Sequence, residues 1–173
     1  YPSEYMASVL SNNLNNLSEI TKFMDECKAM DINVLSPDVN ESLLKFSVNK
    51  NGDIRFGLAA IKSVGQNAAR NIIDERMQNG PFKDIFDFVE RINLSSCNKK
   101  TIEALALAGA FDSLPGITRE QFLGVNSKGE EFLDSLIRYG NKYQVDKQTT
   151  MNSLFANDSS FQITHPEIPK VEE

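Results

Sequence analysis

Apolar positions recur at helical spacing through residues 4–12 and 16–31, which predicts two opening helices. In the second, Leu17, Ile20, Met24, Cys27 and Lys28 form one stripe, and Asn16, three residues ahead of Glu19, makes a capping-box-like start. Asp31-Ile32-Asn33 ends that helix. Pro37 biases Ser36 away from helix, so Val34 to Asp38 reads as an extended connection. The period then shortens: Lys45-Phe46-Ser47-Val48 alternates, Asn49-Lys50-Asn51-Gly52 is a hairpin turn signal, and Asp53-Ile54-Arg55-Phe56 returns as the partner strand. Helical spacing resumes at Ala69 and Ile72 and stops at Asn79-Gly80-Pro81. Phe82, Ile85, Phe86, Phe88 and Val89 make a dense apolar face, a core signal. After a turn at Ser95 to Asn98, Lys99 to Ala108 is another helix, with Ile102, Leu105 and Ala106 facing in and Gly109 as its cap. Residues 118–139 read as one helix or two. Beyond Lys142 polar residues and proline dominate, the composition of a flexible linker, interrupted by the island Met151-Asn152-Ser153-Leu154-Phe155.

One step in this pattern carries chemistry. Ile61-Lys62-Ser63-Val64-Gly65-Gln66-Asn67 runs from an apolar residue through a short turn to an apolar-Gly pair that opens a helix, the shape of a helix-hairpin-helix element. Unpaired amides and the positive dipole end at such a start attract an anion. Glycine at Gly65 gives a steep turn and lets another backbone approach. The alternative is a plain joint between two packed helices. The turn at Asn98-Lys99-Lys100 echoes the first weakly, as a degenerate half-repeat that adds Lys99 and Lys100 at phosphates or is simply a solvated basic helix start.

Charge changes the picture more than size does. The 173 residues carry a net charge of −6, which argues against a general polyanion binder. Residues 54–100, however, hold eight basic groups against five acidic ones, while residues 1–44 hold two against seven. The positive segment coincides with the glycine turn. Two distant cysteines, Cys27 and Cys97, do not make a disulfide framework and fit a reducing, cytoplasmic compartment. The single histidine, His165, gives a structural zinc site almost no support. No apolar run suggests a membrane span. The opening Tyr1-Pro2-Ser3-Glu4 lacks a leader and suggests a piece cut from a longer protein.

Several blocks in order resemble one family. They are Tyr1-Pro2-Ser3-Glu4-Tyr5-Met6-Ala7, then Leu35-Ser36-Pro37-Asp38-Val39-Asn40-Glu41-Ser42, then Ile54-Arg55-Phe56-Gly57-Leu58 running into Ile61-Lys62-Ser63-Val64-Gly65. Gly80-Pro81-Phe82, Phe86-Asp87-Phe88, Glu103-Ala104-Leu105 and Ala108-Gly109-Ala110-Phe111-Asp112-Ser113-Leu114 follow. Together they resemble a stretch of the catalytic α subunits of bacterial DNA polymerase III, the C-family replicative polymerases. The resemblance implies the end of the fingers followed by a tandem helix-hairpin-helix domain on double-stranded DNA. The family usually has glycine where Ser63 stands. Its metal-binding aspartates lie in a preceding palm region, so magnesium belongs to the parent polymerase and no cofactor is expected here. The family also carries a sliding-clamp peptide after this domain; Ser153-Leu154-Phe155 matches it, with Met151 where glutamine is usual. An apolar pair folding back on the domain is the alternative.

The expected fold is therefore mainly α, a tandem helix-hairpin-helix domain with a small β-hairpin. The boundaries are 1–38 for the helical end of the fingers, 39–115 for the DNA-binding domain, 116–141 for a helical extension and 142–173 for a flexible linker. The expected function is a non-catalytic, sequence-independent module for double-stranded DNA. Lys62, Ser63, Val64, Gly65, Gln66 and Asn67 would contact DNA, with Arg55, Arg70, Lys99 and Lys100 as charged support. Met151, Ser153, Leu154 and Phe155 would bind the sliding clamp, and the remainder of the polymerase is the third partner. The rival reading is a protein-interaction adaptor that docks the clamp without touching DNA. A repair-enzyme hairpin domain lacks an accompanying base, metal cluster or iron–sulfur cysteine set.

Overall fold

In the computed structural model, residues 1–152 and 163–171 are described. Pro2 opens α1 (Pro2–Asn12) in the first turn, where its missing N–H is no loss. Helix α2 (Leu17–Ala29) begins at Asn16, whose side chain accepts from the Glu19 N–H. Its inward face is Ile20, Phe23, Met24 and Cys27 at helical spacing. Leu17, placed in that stripe by the sequence, falls outside it and is 73% exposed.

Three short strands follow: β1 (Val34–Leu35), β2 (Ser47–Val48) and β3 (Ile54–Arg55), in the order β1-β3-β2. Strands β2 and β3 form the antiparallel pair read from the sequence, with Ser47 opposite Arg55. Their turn closes through Asn49, whose Oδ1 accepts from the Asn51 and Asp53 N–H groups, and through Gly52 at φ +83°. The segment expected as a mere connection supplies β1, parallel to β3 with Val34 opposite Ile54. The sheet shares a core with α1 and α2 through Met6, Leu10, Ile20, Cys27, Phe46 and Ile54. A division at 38/39 therefore cuts through one packed unit. Phe56 packs against this core and against the next.

The larger core is helical. A 3₁₀ turn at Leu58–Ala60 leads to α3 (Gln66–Asn79), then α4 (Ile85–Arg91), α5 (Lys99–Ala108), α6 (Arg119–Phe122) and α7 (Phe132–Asn152). Phe88, Ile92, Ile102, Leu105, Phe111, Phe132 and Leu136 are buried at its centre. Residues 117–139 contribute to this core and are not an appended extension.

The expected linker from 142 is corrected twice. Helix α7 continues to Asn152 because it lies close along α4: a Cβ on Gly140 would meet the Val89 carbonyl at 2.7 Å, and the Gln144 amide donates to the Val89 and Ile92 carbonyls at 2.9 and 2.7 Å. Residues 163–171 then strap the domain. Ile163 and Ile168 pack on the core, Gln121 donates to the Pro169 carbonyl, and His165 stacks on Phe86 at 4.2 Å.

Candidate nucleic-acid interface

The first hairpin is anchored by its apolar residues and open at its polar ones. Ile61 and Val64 are buried, while Lys62, Ser63, Gly65, Gln66 and Asn67 are exposed. The Val64 N–H is already taken by the Ile61 carbonyl at 3.1 Å, so Val64 anchors and does not donate outward. The steep turn falls on Ser63, at φ +72°, and not on Gly65, whose φ of −72° and ψ of 158° any residue adopts. Gly65 supplies space: nothing lies within 4 Å of where its Cβ would be. As N-cap of α3 it has no side chain to cap with. Among the described residues, the amides of Gly65, Gln66 and Asn67 have no protein acceptor. Three donors at the positive end of a 14-residue helix thus face solvent.

The second hairpin is furnished differently. The Asn93 Oδ1 accepts from the Ser95 and Ser96 N–H groups at 2.9 and 3.3 Å. Asn98 caps α5 by accepting from the Thr101 N–H at 3.0 Å. The two hairpins are fastened together by polar bonds that the sequence pattern did not single out. The Thr101 hydroxyl donates to the Ser63 carbonyl at 3.3 Å, and the Asn93 N–H donates to the Asn71 side chain at 2.9 Å. Cys97 lies fully buried against the Ala68 carbonyl, and burial pushes its thiol up to about 12, so it is an inert packing group. The direction of α3 is set from its other end. Buried Arg76 donates to the Val39 and Ser42 carbonyls at 2.8 and 2.9 Å, and desolvation lowers its pKa from the usual guanidinium value.

The basic segment is less positive in space than in sequence. Arg55 is not free for phosphate: it is paired with Glu41 at 2.6 Å and donates to the Ser36 carbonyl at 2.8 Å, which ties β3 to the loop after β1. Arg91 is held by Glu75 and Asp87 beside the Phe82 ring. Lys99 is closed in by Glu131 at 2.5 Å and Asp134 at 3.0 Å. Among the described residues Lys62, Arg70, Lys83 and Lys100 are exposed with no acidic partner. Lys62 sits in the first turn and Arg70 one helical turn beyond Gln66. Lys100 adjoins Thr101, the residue bonded to that turn. Met151 is exposed in the last turn of α7; Ser153, Leu154 and Phe155 lie outside the described residues.

A helix-hairpin-helix motif model matches residues 31–122, more than half of the chain. The chain belongs to this helix-hairpin-helix family. It is also similar to proteins named DNA polymerase III subunit alpha. That of Vibrio cholerae is 46% identical over 114 residues, 66% of this chain and 10% of the relative. That of Xylella fastidiosa is 32% identical over 174 residues, all of this chain and 14% of the relative. That of Caulobacter vibrioides is 37% identical over 157 residues, 91% of this chain and 13% of the relative. The chain thus spans roughly a tenth to a seventh of the length of these relatives, and the similarity agrees with the blocks read from the sequence.

Among the described residues, the acids do not suit a two-metal site. Glu41, Glu75, Asp87, Asp112, Glu131 and Asp134 each face an arginine or lysine. Among the described residues no three His, Cys, Asp or Glu side chains are grouped to hold a metal ion. Among the same residues no helix is long and apolar enough to cross a membrane.

Proposed function

We propose that this chain is a non-catalytic module that holds double-stranded DNA without regard to sequence, as a segment of a bacterial replicative polymerase of the DNA polymerase III α-subunit kind. The observation that carries the reading is the start of α3: exposed, uncapped, and with the amides of Gly65, Gln66 and Asn67 free of protein acceptors. A phosphate oxygen supplies the acceptors that the protein withholds, and the helix dipole favours its charge. The missing Cβ at Gly65 leaves room for the sugar-phosphate chain. Lys62, Arg70 and Lys100 surround the site with charge. Ser63 holds the turn and Val64 pins it to the core. Contacts of this type position a duplex and do not read bases. The exposed end of α7 at Met151 leads into Ser153-Leu154-Phe155, which we assign to a sliding clamp as a short docking peptide. Magnesium and polymer synthesis belong to other parts of the parent protein.

Fluorescence anisotropy with two duplexes of unrelated sequence tests the reading. Both should bind alike, weakly, and with strong salt dependence. Replacing Lys62, Arg70 or Lys100 by glutamine should each make the slope of log K against log salt shallower by about 0.9. Equal slopes for all variants, or a marked preference for one duplex, would sink it.

A further inference from the structure

The second hairpin also presents a basic helix start, with Lys99 and Lys100 as the first two residues of the ten-residue α5. Asn98 caps only the Thr101 amide. What distinguishes this start is the acid pair packed against it: Glu131 Oε2 at 2.5 Å and Asp134 Oδ1 at 3.0 Å from the Lys99 Nζ. Both acids stand at the beginning of α7, where a helix start favours negative charge for its own stability. We propose that Lys99 is a latent phosphate ligand, and that Glu131 and Asp134 hold it off nucleic acid, leaving Lys100 as the charge this helix start offers. The inference rests on the duplex-binding reading and adds to it a control of how many phosphates the domain engages.

Three observations support it. The Thr101 hydroxyl on the Ser63 carbonyl places the α5 start directly beside the first hairpin turn, so a strand held there passes Lys99 and Lys100. The two carboxylates engage Lys99 and leave Lys100 without an acidic partner among the described residues, so Lys99 is the charge that the second hairpin withholds from an incoming phosphate. Hydrogen bonding to Glu131 and then Asp134 raises the Lys99 pKa, the direction expected of an ammonium held by two carboxylates. The lock is releasable, because exposed ion pairs are individually weak and are screened by salt.

The test is a four-cornered comparison of duplex binding at low salt: the parental chain, Glu131→Gln with Asp134→Asn, Lys99→Gln, and all three together. Freeing Lys99 should raise affinity about three- to tenfold and steepen the salt slope by about 0.9, one added phosphate. Lys99→Gln should cost several-fold more in the acid-neutralised background than in the parental one. No gain on neutralising the acids overturns the proposal. So does a gain that survives Lys99→Gln, which would be general loss of negative charge. All three side chains are substantially exposed, at 41 to 60%, so folding is preserved, and circular dichroism verifies it. Adding Gly65→Asp to the acid-neutralised chain separates the two readings. A Lys99-dependent gain that persists there supports the lock even if the first hairpin proves not to bind.

Discussion

The two hairpins of this domain share a path and differ in what closes them. Each turns from a buried apolar residue into the start of a helix, and each is pinned to the other by Thr101–Ser63 and Asn93–Asn71 bonds. At the second, Asn93 and Asn98 take up three main-chain amides and two acids neutralise Lys99. At the first, glycine occupies the N-cap, so the Ala68 amide, which corresponds to Thr101, has no side-chain acceptor among the described residues, while the first amides of α3 and α5 are open alike. Helices α2, α4, α5 and α6 all begin with a capping side chain, at Asn16, Asp84, Asn98 and Thr118. Capping stabilises a helix; leaving a start bare forgoes that gain and keeps the donors available. On the proposed reading, one hairpin serves stability and the other binding.

The contrast predicts different responses to matched changes. The largest effect belongs to Gly65→Asp. The backbone there admits any residue and nothing crowds the new side chain. The carboxylate should cap α3 and add a few tenths of a kcal/mol to stability, about the difference between glycine and a good N-cap. It should also occupy the amides and repel phosphate, lowering duplex affinity by about tenfold or more, near 1.4 kcal/mol. Denaturant melts and anisotropy on one preparation read both. Asn98→Ala should act on stability alone, removing about 1 kcal/mol with its lost cap, while duplex affinity stays within about twofold of the parental value. The smallest change is expected from Ser63→Gly, which relieves a left-handed serine at φ +72°. Up to about 1 kcal/mol of stabilisation follows from the cost of that conformation for an L-residue, and binding should persist because the Thr101 bond is to the main-chain carbonyl. An unchanged denaturation midpoint would mean that the turn stores no such strain.

Much of the helical half was legible because its signals are local. Gly80 before Pro81 ends α3, Asn98 starts α5 and Gly109 ends it in the left-handed conformation. What escaped needed partners far along the chain. Val34–Leu35 becomes a strand only because β3, twenty residues on, lies parallel to it. The polar run after Lys142 resembles a linker until Gln144 is seen satisfying two α4 carbonyls. At the site, the open helix start could be read from Val64-Gly65-Gln66, but the residue bearing the steep turn could not: the glycine drew attention and the serine before it carries the positive φ. Charge was legible as a sum and misleading in detail. Glu41, Glu131 and Asp134, which neutralise Arg55 and Lys99, are remote in sequence from the groups they hold.

Amide spectra of the isotopically labelled chain, titrated with a short DNA duplex at low salt, compare the two hairpins residue by residue. Hydrogen bonding to phosphate should move the Gly65, Gln66 and Asn67 amide signals together and leave those of Ser95, Ser96 and Thr101, already satisfied, nearly still. Movement at the second set with none at the first would contradict the assignment of duplex contact to the uncapped start of α3.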